Sequence, residues 1–108
     1  MYKGTIIENS LSDKNILHEV KIIRTWQSSK WTLHDVLIEE DQIPKLSNSL
    51  SDGPWYIHVW KPGNDKIKVI YKNKIFQINY SDKSTWKDAV DYGKSIGIPE
   101  EQLDFVIN

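Results

Sequence analysis

Three histidines, His18, His34 and His58, are the side chains of this sequence best suited to acid–base or metal chemistry. A zinc or iron site would need two or three of them together with a carboxylate. No histidine lies two or four positions from another in the sequence, so neither a strand nor a helix would bring two of them together as a local ligand pair. The sequence also lacks cysteine, which removes thiolate chemistry and cysteine-ligated zinc. We therefore predict neither a metal site nor a bound cofactor.

His58 is the strongest single candidate for acid–base catalysis. It lies in the middle of a strand-like run, between the aromatic residues Tyr56 and Trp60, and an imidazole titrates near neutral pH. A carboxylate such as Asp35 or Asp52 would have to orient the ring. A histidine hydrogen-bonded at a sheet surface explains the same residue without catalysis. A small enzyme that uses His58 in a sheet–helix pocket is therefore the alternative hypothesis, and we favour a protein that is not an enzyme.

Two charged stretches are explained more simply as solvated surface than as sites. Glu39, Glu40 and Asp41 fall between a predicted strand and a predicted helix, where carboxylates offset the helix dipole. The predicted C-terminal hairpin is basic through Lys61, Lys66, Lys68, Lys72 and Lys74. A net charge of −1 and a single arginine, Arg24, argue against a nucleic-acid partner, and lysines commonly protect sheet edges from aggregation.

Five tryptophans are the unusual feature of this chain of 108 residues. In the strand that contains two of them, Ile57 and Val59 alternate with aromatic side chains, and alternate residues of a strand point to opposite faces. We expect Ile57 and Val59 to face helices. The opposite face would then carry three ring side chains: Tyr56, His58 and Trp60. Trp26 or Trp31 joins them there if the preceding strands keep their register.

The favoured function is a non-catalytic binding or protein-interaction module that uses this aromatic sheet face. Its predicted ligand or interface residues are Tyr56, His58, Trp60 and Trp31. A second copy of the chain, giving a homodimer, and a small-molecule ligand are the two partners that we consider, because an aromatic patch of this size needs cover. No run approaches the roughly 18 apolar residues of a membrane span, and we expect no signal peptide and a cytoplasmic location.

The order of predicted elements indicates one α+β domain over residues 1–108. Alternating β-branched and aromatic residues predict strands over residues 4–8, 21–27, 31–39, 54–60, 66–72 and 75–80. Helices are predicted over residues 12–20, 40–50 and 85–96. The first six elements follow the order of a split βαβ, ferredoxin-like antiparallel sheet with two helices on one face. The C-terminal hairpin and last helix would extend that unit.

Overall fold

The computed structural model describes residues 1–105 of the chain, and its regular secondary structure is mainly β-sheet. The strands are β1 (Tyr2–Ile7), β2 (Lys21–Ser28), β3 (Trp31–Ile38), β4 (Ile57–Trp60), β5 (Lys66–Tyr71) and β6 (Lys74–Asn79). They form one six-stranded sheet in the order β2-β3-β1-β4-β5-β6. Every neighbouring pair is antiparallel. Two short helices, α1 (Ile43–Ser49) and α2 (Lys87–Ser95), and several 3₁₀ turns complete the fold.

The predicted ferredoxin-like split βαβ fold is wrong. The segment between β1 and β2 forms 3₁₀ turns instead of a helix, and the turn Lys14–His18 is capped by the Asp13 side chain. Its short apolar stripe is anchored by Ile16, which is buried, but offers too few turns to stabilise a helix. The second predicted helix is reduced to the seven residues of α1. The two helices also lie on opposite faces of the sheet.

Each face of the sheet carries its own hydrophobic core. On the first face, which we call the α1 face, Ile6, Val36 and Val59 pack against Leu46 of α1. On the second face, the α2 face, residues of β4, β5 and β6 pack against α2 and the C-terminal segment around Phe105. The expected direction of Ile57 and Val59, toward a helix on the α1 face, is confirmed.

Local turn chemistry follows the sequence more closely than the topology does. Gly63 and Asn73 adopt positive φ angles of 78° and 58° in the two hairpin turns, a conformation that glycine and asparagine tolerate better than other residues. Gly97 ends α2 with a φ of 99°, and its N–H bonds to the carbonyl of Lys94 at 3.1 Å. The N–H of Ile98 bonds to the carbonyl of Gly93 at 3.0 Å, which completes a Schellman motif.

The helix starts differ from the caps that the sequence favours, which are Asp41 before α1 and Thr85 with Asp88 before α2. Glu39 and Gln42, and not Asp41, form the capping box before α1. Before α2, the Asp82 side chain accepts from the Ser84 N–H, while the hydroxyl of Thr85 bonds to main-chain groups. Within residues 1–105, neither helix is long and apolar enough to cross a membrane.

Candidate functional site

The α2 face of the sheet is covered over β4, β5 and β6 but half-exposed over β1 and β3. Along β3, Val36 and Ile38 are buried on the α1 face, whereas Leu33 and Leu37 on the other face are half-exposed. On β1, Ile7 repeats this pattern. Among residues 1–105, no side chain of β1, β2 or β3 belongs to the second core. The sheet therefore presents an open half-face beside a covered one.

A groove of about 470 Å³ lies where the covered and open halves meet. Its lining residues come from β1, β3, β4 and the C-terminal segment: Thr5, Ile7, Leu33, Tyr56, Ile57, His58, Trp60 and Gln102. A smaller depression of about 200 Å³ shares Thr5 and Trp60 with the groove and adds Lys3, Gly4 and Asp35. Strand pairing at the centre of the sheet therefore creates the groove.

Three rings in a row form the β4 side of the groove. His58 stacks between Tyr56, at 6.2 Å between ring centroids, and Trp60, at 5.6 Å. Phe105 meets His58 at 5.9 Å and Tyr56 at 5.5 Å, edge to face. Because each ring is held by its neighbours, the row offers a flat and largely apolar surface with few accessible rotamers.

Trp60 places an unusual polar atom beside the groove. The residue is only 8% exposed, and its indole N–H has no hydrogen-bond acceptor among residues 1–105. Leaving a buried donor unsatisfied costs about 1–3 kcal/mol, and buried Trp N–H groups usually find a partner.

Tyr56 joins the row of rings to the opposite wall. Its hydroxyl donates a hydrogen bond to the main-chain carbonyl of Gln102, in the turn Glu100–Gln102. Burial, and to a lesser extent the nearby charge of Asp104, raises the pKa of Tyr56 above its ordinary value. The hydroxyl therefore stays protonated at neutral pH and remains a donor to the wall.

A polar ladder crosses the open half-face next to the groove. The Thr5 hydroxyl donates to Asp35 Oδ1 at 2.7 Å, and Arg24 Nε lies 3.4 Å from Asp35 Oδ2. The Arg24 guanidinium in turn lies over the Trp26 ring at 4.2 Å. Asp35, which the sequence suggested as an orienting group for His58, is thus engaged by Thr5 and Arg24.

The predicted site residues are distributed unequally. Tyr56, His58 and Trp60 line the groove together, whereas Trp31 packs edge to face on Trp55 at 5.4 Å and is not among the lining residues. Their roles in binding stay predictions. Within residues 1–105, no three His, Cys, Asp or Glu side chains are clustered as metal ligands would be.

The groove contributions of Thr5, Ile7 and Leu33 were missed by sequence reasoning. They depend on the pairing of β1 with both β3 and β4, which brings together segments far apart in the chain. The alternation of Lys3, Thr5 and Ile7 along β1 was the available signal. It shows that these three side chains share one face of the sheet, but it does not show which strand lies beside β1.

A buried histidine network was also missed. His34 is 6% exposed, with Nδ1 2.7 Å from Thr25 Oγ1 and Nε2 2.9 Å from Glu8 Oε1. The order hydroxyl, imidazole, carboxylate is that of a catalytic triad. The network lies on the α1 face, away from the groove, and satisfies both ring nitrogens of a buried histidine. A structural role explains it fully.

A platform for stacked bases on the lysine-rich hairpin would need two exposed rings, and the candidates in the sequence are Tyr71 and Phe76. Tyr71, one of the two aromatic residues required, is fully buried, and its hydroxyl donates to the main-chain carbonyl of Ala89 at 2.7 Å. Lys66 and Lys68 project from the opposite face of β5. Lys74 Nζ, by contrast, lies 5.5 Å from the centroid of the Phe76 ring, so one basic group of the hairpin does contact a ring.

No family model, curated protein or solved structure matches this chain. The interpretation of the groove therefore depends on its geometry.

Proposed function

We propose that this protein is a non-catalytic binding module whose groove receives a flat, apolar group that carries a hydrogen-bond acceptor. The observation that supports it most is Trp60, whose ring ends the stacked row and whose buried N–H lacks an acceptor among residues 1–105. Stacked rings supply a surface for a flat group, and the unsatisfied donor supplies a reason for that group to carry an oxygen.

The size and lining of the groove suit such an occupant. Small-molecule sites commonly enclose about 300–1,000 Å³ and combine apolar walls with a few polar groups. Here the polar groups are Thr5, His58 and Gln102, among apolar and aromatic neighbours. Another depression, of about 490 Å³ outside α2, is lined mainly by charged side chains and contains one aromatic ring, that of Trp86. The groove on the α2 face is the better binding site.

The alternative, acid–base catalysis by His58, receives less support. Of the two carboxylates that could orient the imidazole, Asp35 is bonded to Thr5 and paired with Arg24, and Asp52 lies in an exposed loop. The His58 ring stacks with the rings of Tyr56 and Trp60 and meets Phe105 edge to face. A stacked imidazole between two aromatic rings serves a binding surface well, and we therefore propose binding without catalysis.

The experiment that tests this function is an NMR titration with two matched probes, phenylacetate and the uncharged phenylacetamide. Both probes have a ring and a carbonyl oxygen and differ in charge, so a preference for one of them would indicate the role of charge. We expect amide shifts at Thr5, Leu33 and His58. Ile7→Trp should fill the groove and abolish these shifts.

Leu37→Trp is the matched control, because Leu37 lies on the same face as Ile7 but outside the groove lining. It should leave binding unchanged. Equal effects of Ile7→Trp and Leu37→Trp, or shifts centred on α2, would reject the groove as the site.

A second copy of the chain is a further candidate occupant. Sedimentation equilibrium distinguishes it by measuring the mass of the particle. A homodimer through the groove would also make the NMR chemical shifts of Tyr56 and Trp60 depend on protein concentration without any probe. Ile7→Glu, at a half-exposed position of the groove lining, should then yield a folded monomer.

A further inference from the structure

Strand β2 forms one edge of the sheet and is exposed over nearly its whole length of eight residues. Its inner edge pairs with β3 from Lys21 to Ser28. Within residues 1–105, no other main-chain hydrogen bond involves residues 21–28, so the outward N–H and C=O groups have no described partner. An unpaired edge of this kind is a template for a further strand.

The opposite edge of the sheet is partly closed. At the end of β6, the Asn79 N–H bonds to Thr85 Oγ1 at 2.9 Å, and the Asn79 carbonyl accepts from the Trp86 indole at 2.8 Å. An isolated bridge also links Asn79 to Asp82. The six-residue β6 therefore offers a shorter free edge than β2.

Apolar side chains accompany the free edge of β2. Ile22 is 39% exposed and Ile23 is 55% exposed, while Trp26 is half-buried. A register irregularity between Ile22 and Arg24 twists the strand but leaves both isoleucines at the surface. Exposed β-branched residues on an unpaired edge gain burial when another strand joins.

The charged residues in and near β2 determine which kind of strand could pair with its free edge. Between Val20 and His34 the chain has Lys21, Arg24 and Lys30 and no carboxylate. In an antiparallel pair of two β2 strands centred on Arg24, the two Arg24 side chains would be neighbours, and like charges on neighbouring strands are destabilising. The basic side chains of Lys21, Arg24 and Lys30 would attract an acidic strand, although Arg24 already pairs with Asp35 of β3 at 3.4 Å.

We propose that β2 is a docking edge for an extended acidic segment of another protein, which adds to the sheet as a seventh strand. Arg24 is the anchor: its side chain is 64% exposed, and Asp35 and the Trp26 ring hold its guanidinium in place. A guanidinium held in this way is ready to receive a carboxylate from the added strand. This site is separate from the groove and does not depend on its occupant.

The test uses a blocked decapeptide of alternating glutamate and threonine, with a lysine–threonine decapeptide as the matched control. Amide hydrogen exchange of the whole protein is followed at low salt with each peptide. The glutamate peptide should slow exchange over residues 21–28, and the lysine peptide should not. A glutamate peptide with N-methyl groups on alternate residues should lose binding, because it cannot complete the strand ladder.

Protein variants give the second readout. Lys21→Glu/Arg24→Glu should weaken binding of the glutamate peptide by on the order of tenfold or more, as expected for loss of complementary charge. Lys72→Glu/Lys74→Glu, next to β6, should leave its affinity unchanged. Thermal unfolding confirms that both variants fold, and the N-methylated peptide tests the proposal even if one does not.

Four results would overturn the proposal. They are no binding of the glutamate peptide at low salt, protection elsewhere than β2, equal weakening by the two pairs of substitutions, and unchanged binding of the N-methylated peptide. Protection of β2 without peptide, rising with protein concentration, would assign the edge to a second copy instead.

Discussion

The Tyr56 hydroxyl donates a hydrogen bond to the main-chain carbonyl of Gln102, two residues that are 46 positions apart in the chain. This contact links the ring row on β4 to the C-terminal turn that forms the facing wall of the groove. The hydrogen bond between this phenol and this carbonyl, together with the packing of Phe105 on Tyr56 and His58, therefore holds the C-terminal segment against the ring row.

Tyr56→Phe removes this link while keeping the ring stacking. We expect the free energy of unfolding in urea to fall by about 1 kcal/mol, the usual net value of one hydrogen bond. Tyr80→Phe is the control, because Tyr80 is 39% exposed and no described hydrogen bond involves its hydroxyl. If the two variants lose the same amount, the Tyr56 contact does not hold the wall.

Trp86→Ala removes the side chain that anchors the start of α2. Trp86 is 6% exposed, packs on Phe105 at 5.2 Å between ring centroids, and donates its indole N–H to Asn79. We expect a loss of roughly 3–5 kcal/mol in the free energy of unfolding, as for other buried aromatic residues. Trp26→Ala, at a half-buried edge position, should cost far less. A loss below about 1 kcal/mol for Trp86→Ala would contradict its place in the core.

The strands and turns could be predicted from the sequence because their causes are local. Alternation along one strand was enough to place Tyr56, His58 and Trp60 on one face, and glycine at positive φ marked Gly63 and Gly97. The topology could not be predicted in the same way, because it depends on which face of the sheet each helix covers. The apolar stripes of the helices are too short to determine that face.

The rest of the groove could not be predicted for a related reason. Thr5 and Leu33 reach it only because β1 pairs with both β3 and β4, and such non-local pairing leaves no local pattern. Gly4 shows the constraint: a Cβ there would lie 2.6 Å from Val59 Cγ1, so close packing of β1 on β4 requires glycine. A single glycine in a strand does not show, from the sequence alone, which strand packs beside it.

Gly97→Val tests the Schellman motif at the end of α2. Because Gly97 has a φ of 99°, where a β-branched residue is strained, we expect a loss of about 1 kcal/mol or more. Gly97→Asn should cost less, since asparagine tolerates left-handed backbone better than valine. Urea midpoints of the two variants measure the difference, and a valine variant as stable as the asparagine variant would exclude a left-handed cap.

Stability should fall in alkali because of Tyr71. Burial, with smaller effects of Tyr56 and Tyr92, raises the pKa of Tyr71 well above the ordinary value of 10.0. Above about pH 10 the unfolded chain loses a proton that folded Tyr71 keeps, so the free energy of unfolding decreases as pH rises, by up to about 1.4 kcal/mol per pH unit for one proton.

Tyr71→Phe should therefore show a weaker decline of stability above about pH 10, even though it is less stable at neutral pH through loss of the bond to Ala89. Urea unfolding across that range measures the slopes. Tyr80→Phe serves as the control, and a Tyr71→Phe slope equal to that of wild type would assign the alkaline effect to other groups.

The central claim is that the groove binds a group whose acceptor reaches Trp60, and the indole N–H resonance of Trp60 tests it most directly. The five indole signals of the chain are assigned by substitution and followed during titration with phenylacetamide. We expect the Trp60 signal to move downfield, as for a newly formed hydrogen bond, while the signals of Trp26 and Trp86 stay in place. A saturating titration in which Trp60 does not move, or in which Trp86 moves instead, would contradict the account.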